Sequence, residues 1–129
     1  MPSFALPESP AALATAEWAD VAPLYEALAA RELPDRAAIE AWLADWSRFA
    51  AMLGEAGSLA MIRYTVNTRD AEAERHHLRF STEILPRAEE QSVALRKRLV
   101  ASGYEAQGLE TTLRAFRTSI EIFREGNVP

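Results

Sequence analysis

The side chains best suited to chemistry in this sequence are His76 and His77, the only two histidines among 129 residues. Neighbouring residues on a helix point about 100° apart, so this pair cannot easily bind one metal ion together. A helix that binds catalytic zinc carries His-Glu-x-x-His, with two ligands one turn apart and a glutamate base between them. That motif is absent. We therefore expect one histidine partly buried in a helix seam and the other in solvent, rather than a metal ligand or a pH-sensitive contact.

The segment Glu74-Arg-His-His77 contains Glu-x-x-His, the unit that di-iron carboxylate bundles use. Such sites need two units and two further glutamates, and this chain could supply the second unit only from another copy of itself. No nucleophile, histidine and aspartate can be combined into a triad, and the five glycines form no phosphate-binding loop. We predict no catalytic, cofactor-binding or metal-binding residue in this segment.

Composition indicates one soluble domain. The length suits a single domain with a real core, and the net charge of −5 argues against nucleic acid or an anionic membrane as a partner. There is no cysteine, no basic and apolar leader, and no apolar run long enough to span a membrane. The predicted location is the cytoplasm.

Proline content and apolar spacing predict where the first helix lies. Residues 1–10 hold three of the seven prolines and are expected to form a flexible arm, followed by one helical domain over 11–129. A first helix is expected from Thr15 to Arg31. Either Asp20 is its N-cap and Pro23 lies in the first turn, or an earlier helix kinks at Pro23. One side of this helix carries Trp18, Ala22, Tyr25 and Leu28 or Ala29.

The second predicted helix runs from an N-cap at Asp35 to Val66 and carries two apolar stripes. A seam at alternating spacings of four and three consists of Ile39, Leu43, Trp46, Ala50, Leu53, Gly57, Ala60 and Tyr64. A parallel stripe consists of Trp42, Phe49, Met52, Ala56, Leu59 and Val66. Two stripes indicate a central helix, which we expect to continue through Gly54 and Gly57. The aromatic residues Trp42, Trp46 and Phe49 could line a peptide groove, but at helical spacing we expect them in the core.

A third helix is predicted from a cap at Asp70 or Thr68 to Ala101, with a kink at Pro86. Its inner face consists of Ala73, His77, Phe80, Ile84, Ala88, Leu95 and Leu99. The second and third helices have nearly equal lengths, which favours an antiparallel hairpin. A fourth helix is expected from Leu109 to Arg124. The predicted fold is therefore all-α, an elongated antiparallel helical hairpin or bundle of about four helices.

Four segments of the sequence stand out in order: Leu43-Ala-Asp-Trp-Ser47, Ile62-Arg-Tyr-Thr-Val-Asn-Thr68, Phe80-Ser-Thr-Glu-Ile-Leu-Pro86 and Ile122-Phe-Arg-Glu-Gly-Asn-Val-Pro129. Together they resemble the N-terminal helices of thimet-oligopeptidase-like zinc peptidases, on the oligoendopeptidase F branch. None is a catalytic signature. Two positions depart from the family pattern: Asn67 stands where an acidic residue is expected, and Gly126 where a glutamate is common.

The resemblance implies that this chain is the N-terminal part of a larger hydrolase and forms a wall of its substrate channel. In that family, zinc is bound far downstream by His-Glu-x-x-His and a later glutamate, and zinc-bound water hydrolyses short peptides. The implied partners are the downstream catalytic domain of the same polypeptide and, in the whole enzyme, peptide substrates. By itself the segment is expected to be inactive, and its exposed apolar surface to favour a homo-oligomer. The alternative is a stand-alone helical interaction or dimerisation module without catalytic activity.

Overall fold

The computed structural model describes residues 6–103, and every regular element in that range is helical. The elements are α1 (Pro10–Ala14), α2 (Trp18–Ala30), α3 (Arg36–Val66), α4 (Ala71–Arg79), a π-helical turn (Phe80–Ile84) and α5 (Leu85–Ala101). The all-α prediction is confirmed. Among these helices, none has the length and apolar character that crossing a membrane requires. The predicted fourth helix, Leu109 to Arg124, lies outside the described residues.

Helix α3 is the central element and is continuous, as predicted. The Asp35 carboxylate accepts a hydrogen bond of 2.8 Å from the Ala38 amide, which satisfies one of the free donors at the start of the helix. The helix then runs for 31 residues, about 46 Å at 1.5 Å per residue. Gly54 and Gly57 lie within it, and Gly57 is buried in the seam. The packing of this face outweighs the low helix propensity of glycine.

The run from Ala71 to Ala101 forms the other arm of the hairpin and contains a π-helical turn in place of a simple kink. Asp70, one of the two predicted caps, accepts hydrogen bonds from the Glu72 and Ala73 amides. Pro86 has no amide hydrogen, and its ring would crowd the carbonyl of Thr82 in a regular helix. The Leu85 amide instead donates to the Phe80 carbonyl, five residues earlier, and this widens the turn ahead of the proline.

The inner face of this arm is confirmed at all seven predicted positions and includes two more. Leu85 and Ser92 are also buried. The π-helical turn rotates each residue by less than the roughly 100° of an α-helix, so Leu85, five residues after Phe80, also lies on the inner face and continues it toward Ala88. Ser92 was not predicted to be buried because the prediction counted only apolar residues. Its hydroxyl donates to the Ala88 carbonyl at 2.9 Å.

Helix α2 starts at Trp18, earlier than the predicted N-cap at Asp20 would allow. Glu17 is the N-cap, and its amide donates to the Asp20 carboxylate at 3.0 Å. Asp20 as N-cap is therefore wrong: it is the third helical residue and closes the turn from inside the helix. Pro23 lies within α2 and is exposed. The earlier start also buries Val21, which the predicted face left out.

A short helix, α1, precedes α2 and packs against α3. Five residues are too few for an apolar repeat, so periodicity does not reveal it. Pro10 occupies the start of the helix, where its missing amide hydrogen costs nothing. Leu13 and Ala14 are buried, and Leu6 packs against the edge of the same core.

The core lies where α1 and α2 cover the hairpin of α3 with α4 and α5. The aromatic residues Trp42, Trp46 and Phe49 are all buried, so the core prediction is confirmed and the groove alternative is wrong. Their indole and phenyl faces pack on one another and on Tyr25, as the Tyr25 and Phe49 rings do at 4.8 Å between centroids. The second apolar stripe of α3 is not buried along its whole length, because its last residue, Val66, is 81% exposed.

Candidate functional site

Polar contacts inside the hairpin meet at the carboxyl end of α2. The Leu28 carbonyl accepts hydrogen bonds from the Trp42 indole at 2.9 Å and from the Arg98 guanidinium at 3.0 Å. Arg98 also donates to the Arg31 carbonyl and lies over the Trp42 ring, 5.6 Å from its centroid. A cation here satisfies carbonyls that the end of α2 leaves free and complements the helix dipole. The arrangement joins three helices and offers no reactive group.

A second polar cluster is centred on Asp45, on the outer flank of the same joint. Its carboxylate binds Arg31 at 2.6 Å and also binds Arg48. Asp45 and Trp46 both belong to the segment Leu43-Ala-Asp-Trp-Ser47, one of the four that carry the family resemblance. In this structure that segment places one side chain in the core and one in an ion pair, so it stabilises the joint.

A cation–π contact and an ion pair link the start of α2 to the arm formed by α4 and α5. The Arg87 guanidinium lies over the Trp18 ring, 5.8 Å from its centroid, and Arg79 approaches Glu17 at 3.8 Å. Both contacts lie partly in solvent, where each contributes less than about 1 kcal/mol. They orient α2 across the π-helical turn.

The two histidines occupy different environments, as predicted. His77 is 3% exposed, which is deeper than the expected partial burial, and it stacks on Tyr64 with 5.1 Å between ring centroids. His76 is half-buried and faces a groove rather than open solvent. Glu74, the first residue of the Glu-x-x-His unit, is exposed.

The described range 6–103 contains no group of three or more His, Cys, Asp or Glu side chains placed to hold a metal ion. The donor set therefore does not fit zinc: His77 is buried against Tyr64, and Asp70, which lines the groove with Glu72 and His76, already caps α4. Absence of a metal site from the whole chain stays a prediction, as does absence of catalytic residues.

A concave feature at the elbow between α3 and α4 is an open groove of about 520 Å³. Its apolar part consists of Ile62, Val66 and Ala73, and polar side chains form its rim: Thr15, Arg63, Asn67, Asp70, Glu72 and His76. Ile62 and Val66 are 52% and 81% exposed. These two exposed side chains, with Ala73, form a small apolar patch beside the polar rim. The Thr15 hydroxyl donates to the Ala12 carbonyl at 3.5 Å.

Tyr25 and Ser92 form a hydrogen-bonded pair inside the core. Burial raises the pKa of the Tyr25 hydroxyl well above its ordinary value, and the bond to Ser92 offsets only part of that rise. A phenol that holds its proton this firmly cannot act as a general acid or base near neutral pH. The pair is a structural contact.

Sequence reasoning missed the two residues that organise these contacts, Arg98 and Asp45. Arg98 follows Arg96 and Lys97 in the sequence, and such a run is typical of the basic end of a helix but does not indicate a partner. Its partners lie 70 and 67 residues away, and no local spacing indicates them. Asp45 could have been singled out as a charge between apolar seam positions.

A family model described as the Peptidase M3 N-terminal domain matches residues 12–122. No curated protein and no solved structure matches the chain. The match confirms the resemblance to thimet-oligopeptidase-like peptidases, and it covers the whole hairpin together with α2.

Proposed function

Because the chain belongs to the family of Peptidase M3 N-terminal domains, we propose that it forms the channel-wall segment of a zinc-dependent oligoendopeptidase in the cytoplasm. The observation that carries this proposal is the match over residues 12–122. In this account the segment supplies shape, and residues elsewhere in the enzyme bind zinc and hydrolyse short peptides.

The internal contacts support a structural role. Helix α3 spans about 46 Å and packs against α1, α4 and the π-helical turn. The three family segments within the described range each stabilise a joint: the Asp45 cluster, the elbow after α3 and the π-helical turn before Pro86. A wall that must keep its shape under substrate binding needs its joints held in this way.

The donor set also supports placing zinc outside this segment. His77 is buried against Tyr64, and the carboxylates around His76 do not converge with it on one point. The zinc would be held by a His-Glu-x-x-His motif, which this sequence does not contain. The cysteine-free composition fits a reducing compartment such as the cytoplasm.

The test uses the natural reading frame that contains this segment. We expect it to encode a His-Glu-x-x-His motif, and its product to hold one zinc and cleave quenched fluorescent peptides. The change His76→Ala should leave zinc content and kcat unchanged, whereas replacing the motif glutamate by glutamine should abolish cleavage. A reading frame without the motif, or loss of zinc in His76→Ala, would contradict the proposal.

A second role, association through the elbow groove, is favoured by the exposure of Ile62 and Val66. The apolar stripe of α3 that ends at Val66 is otherwise buried or half-buried within the chain, which leaves Val66 as its available surface. In the whole enzyme this groove would receive the downstream domain, and in the isolated chain a second copy. Sedimentation equilibrium at micromolar concentration should show a dimer that the double change Ile62→Lys and Val66→Lys dissociates. A wild-type monomer throughout that range would count against this role.

A further inference from the structure

The buried positions of the arm formed by α4 and α5 interrupt their own repeat once, at the π-helical turn. Before the turn, Ala73, His77 and Phe80 follow at spacings of four and three. After it, the buried positions alternate at spacings of three and four: Leu85, Ala88, Ser92, Leu95 and Leu99. An interval of five separates Phe80 from Leu85, and the Leu85 amide donates to the Phe80 carbonyl across it. The turn therefore holds one residue more than a regular helix with the same inner face would need.

The neighbours of the arm change at the same place. Helix α4 packs against α3, α5 packs against α2, and the π-helical turn touches both α3 and α2. At the end of the turn, Ile84 and the following Leu85 are both buried. Adjacent residues of a helix point in different directions, so a buried pair can serve two neighbouring helices. The extra residue thus coincides with the change of packing partner.

A regular helix in place of the turn would give α4 a different inner face. Extending the repeat of α5 backwards from Leu85 would place Leu78 and Glu74 in the seam, seven and eleven residues earlier. In the structure, Glu74 is exposed and Leu78 is 50% exposed. His77 and Phe80 occupy the seam instead. The regular arrangement would bury a carboxylate and expose a phenyl ring, and both changes are unfavourable.

We propose that the π-helical turn is a built-in register shift of one residue, which orients α4 so that Glu72, Ala73 and His76 line the elbow groove. These three side chains form the α4 side of the groove, across from the end of α3. A shift of one residue would rotate α4 by about 100° and bring Ala73, Glu74 and His77 to their places. The turn thus determines which carboxylate and which histidine the groove presents to a bound polypeptide.

The local sequence favours a wide turn at this point. The Ser81 hydroxyl donates to the His77 carbonyl at 3.0 Å. The Thr82 hydroxyl donates to the Leu78 carbonyl at 2.6 Å. Hydroxyls that bond back to carbonyls four residues earlier bend a helix, and Pro86 has no amide hydrogen to continue the regular pattern. Local preference and the register of the two flanking helices therefore favour the same structure.

Deleting one residue within the turn tests the register. The variant lacks Glu83, which is exposed, and carries Pro86→Ala so that no proline constrains the shortened helix. Phe80 and Leu85 are then four residues apart, and a regular helix can keep both on the inner face. We expect the urea midpoint to stay within about 0.3 M of that of Pro86→Ala alone.

The matched control deletes Glu90, an exposed glutamate in the regular part of α5, in the same Pro86→Ala background. This deletion moves Arg96 into the place of Leu95 in the core, so the urea midpoint should fall by more than about 1 M. Equal losses in the two deletions, or a Glu83 deletion that fails to fold, would overturn the proposal.

Pro86→Ala alone separates the register from a local effect of the proline. If packing sets the register, the wide turn persists in this variant and His77 stays buried. Diethyl pyrocarbonate modifies accessible imidazoles, and fragment mass spectrometry distinguishes the two histidines. We expect His77 to react at least about tenfold more slowly than His76 in both the original chain and Pro86→Ala. Comparable rates for the two histidines in Pro86→Ala would overturn the proposal, because the proline alone would then hold α4 in its register.

Discussion

The Arg98 guanidinium donates a hydrogen bond of 3.0 Å to the Leu28 carbonyl, 70 residues earlier in the chain. The same carbonyl accepts from the Trp42 indole, so one oxygen at the end of α2 receives donors from both arms of the hairpin. This contact fixes the position of α2 relative to α3 and α5.

Replacing Arg98 should therefore loosen the end of α2. We expect Arg98→Ala to lower the free energy of unfolding by about 2 kcal/mol, since the Arg31 carbonyl loses a charged donor and Trp42 loses its cation. Arg98→Lys should recover little of this, because an ammonium group cannot reach two carbonyls in a planar fork. Urea unfolding measures both changes.

The control for this change is Arg75→Ala, at an exposed arginine of α4. It removes the same charge without a buried contact, so its free energy of unfolding should stay within about 0.5 kcal/mol of that of the original chain. Equal effects of the two alanine changes would show that Arg98 acts only through net charge.

Leu53 tests the register of α3 in the hairpin. It is fully buried, and Leu53→Asp would place an unpaired charge in the seam. We expect a loss of more than about 4 kcal/mol, enough to unfold a domain of ordinary stability. Ala51→Asp, two residues earlier on the exposed side of the same helix, should cost less than about 1 kcal/mol. A midpoint unchanged by Leu53→Asp would mean that the register is wrong.

Tyr25 should make stability depend on pH in the alkaline range. Burial raises the pKa of its hydroxyl above the ordinary value of 10.0. The unfolded chain then loses this proton first, so the stabilising contribution is complete below pH 10 and is lost as the pH rises toward the pKa of the folded state. The expected slope from this one group is at most about 1.4 kcal/mol per pH unit.

Unfolding in urea between pH 8 and 11 measures that slope. Tyr25→Phe should lower stability at pH 8, through loss of the bond to Ser92, but should flatten the fall above pH 10. The control Tyr64→Phe retains the buried phenol of Tyr25, so its stability should still fall steeply above pH 10. If Tyr25→Phe and the original chain lost stability in parallel, the alkaline transition would belong to other groups.

Much of this fold could be predicted from periodicity, because the hairpin is held by long apolar stripes. The limits of α3, its cap at Asp35 and the seven inner positions of the opposite arm all follow from local spacing. The apolar repeat gave wrong or incomplete predictions where other contacts decide the structure. The start of α2 depends on the pairing of Glu17 with Asp20, and the response to Pro86 is a widened turn that spreads over five residues.

The candidate site was less predictable than the fold. The aromatic residues near Trp42 could be placed in the core from their spacing alone, but the elbow groove arises where two helices meet and has no linear signature. The exposure of Val66 has the same origin, because a stripe shows which side of a helix is apolar and not how far its neighbours extend. Arg98 was missed because its partners lie in a different helix.

The central claim is that this segment gives shape to a peptidase whose chemistry lies in other residues. Cleavage of quenched fluorescent peptides by residues 1–129, with zinc supplied, tests it most directly. The account predicts no turnover above that of a Leu53→Asp sample at any zinc concentration. Chelator-sensitive cleavage that disappears in Leu53→Asp would contradict it, because a folded catalytic site would then lie within this chain.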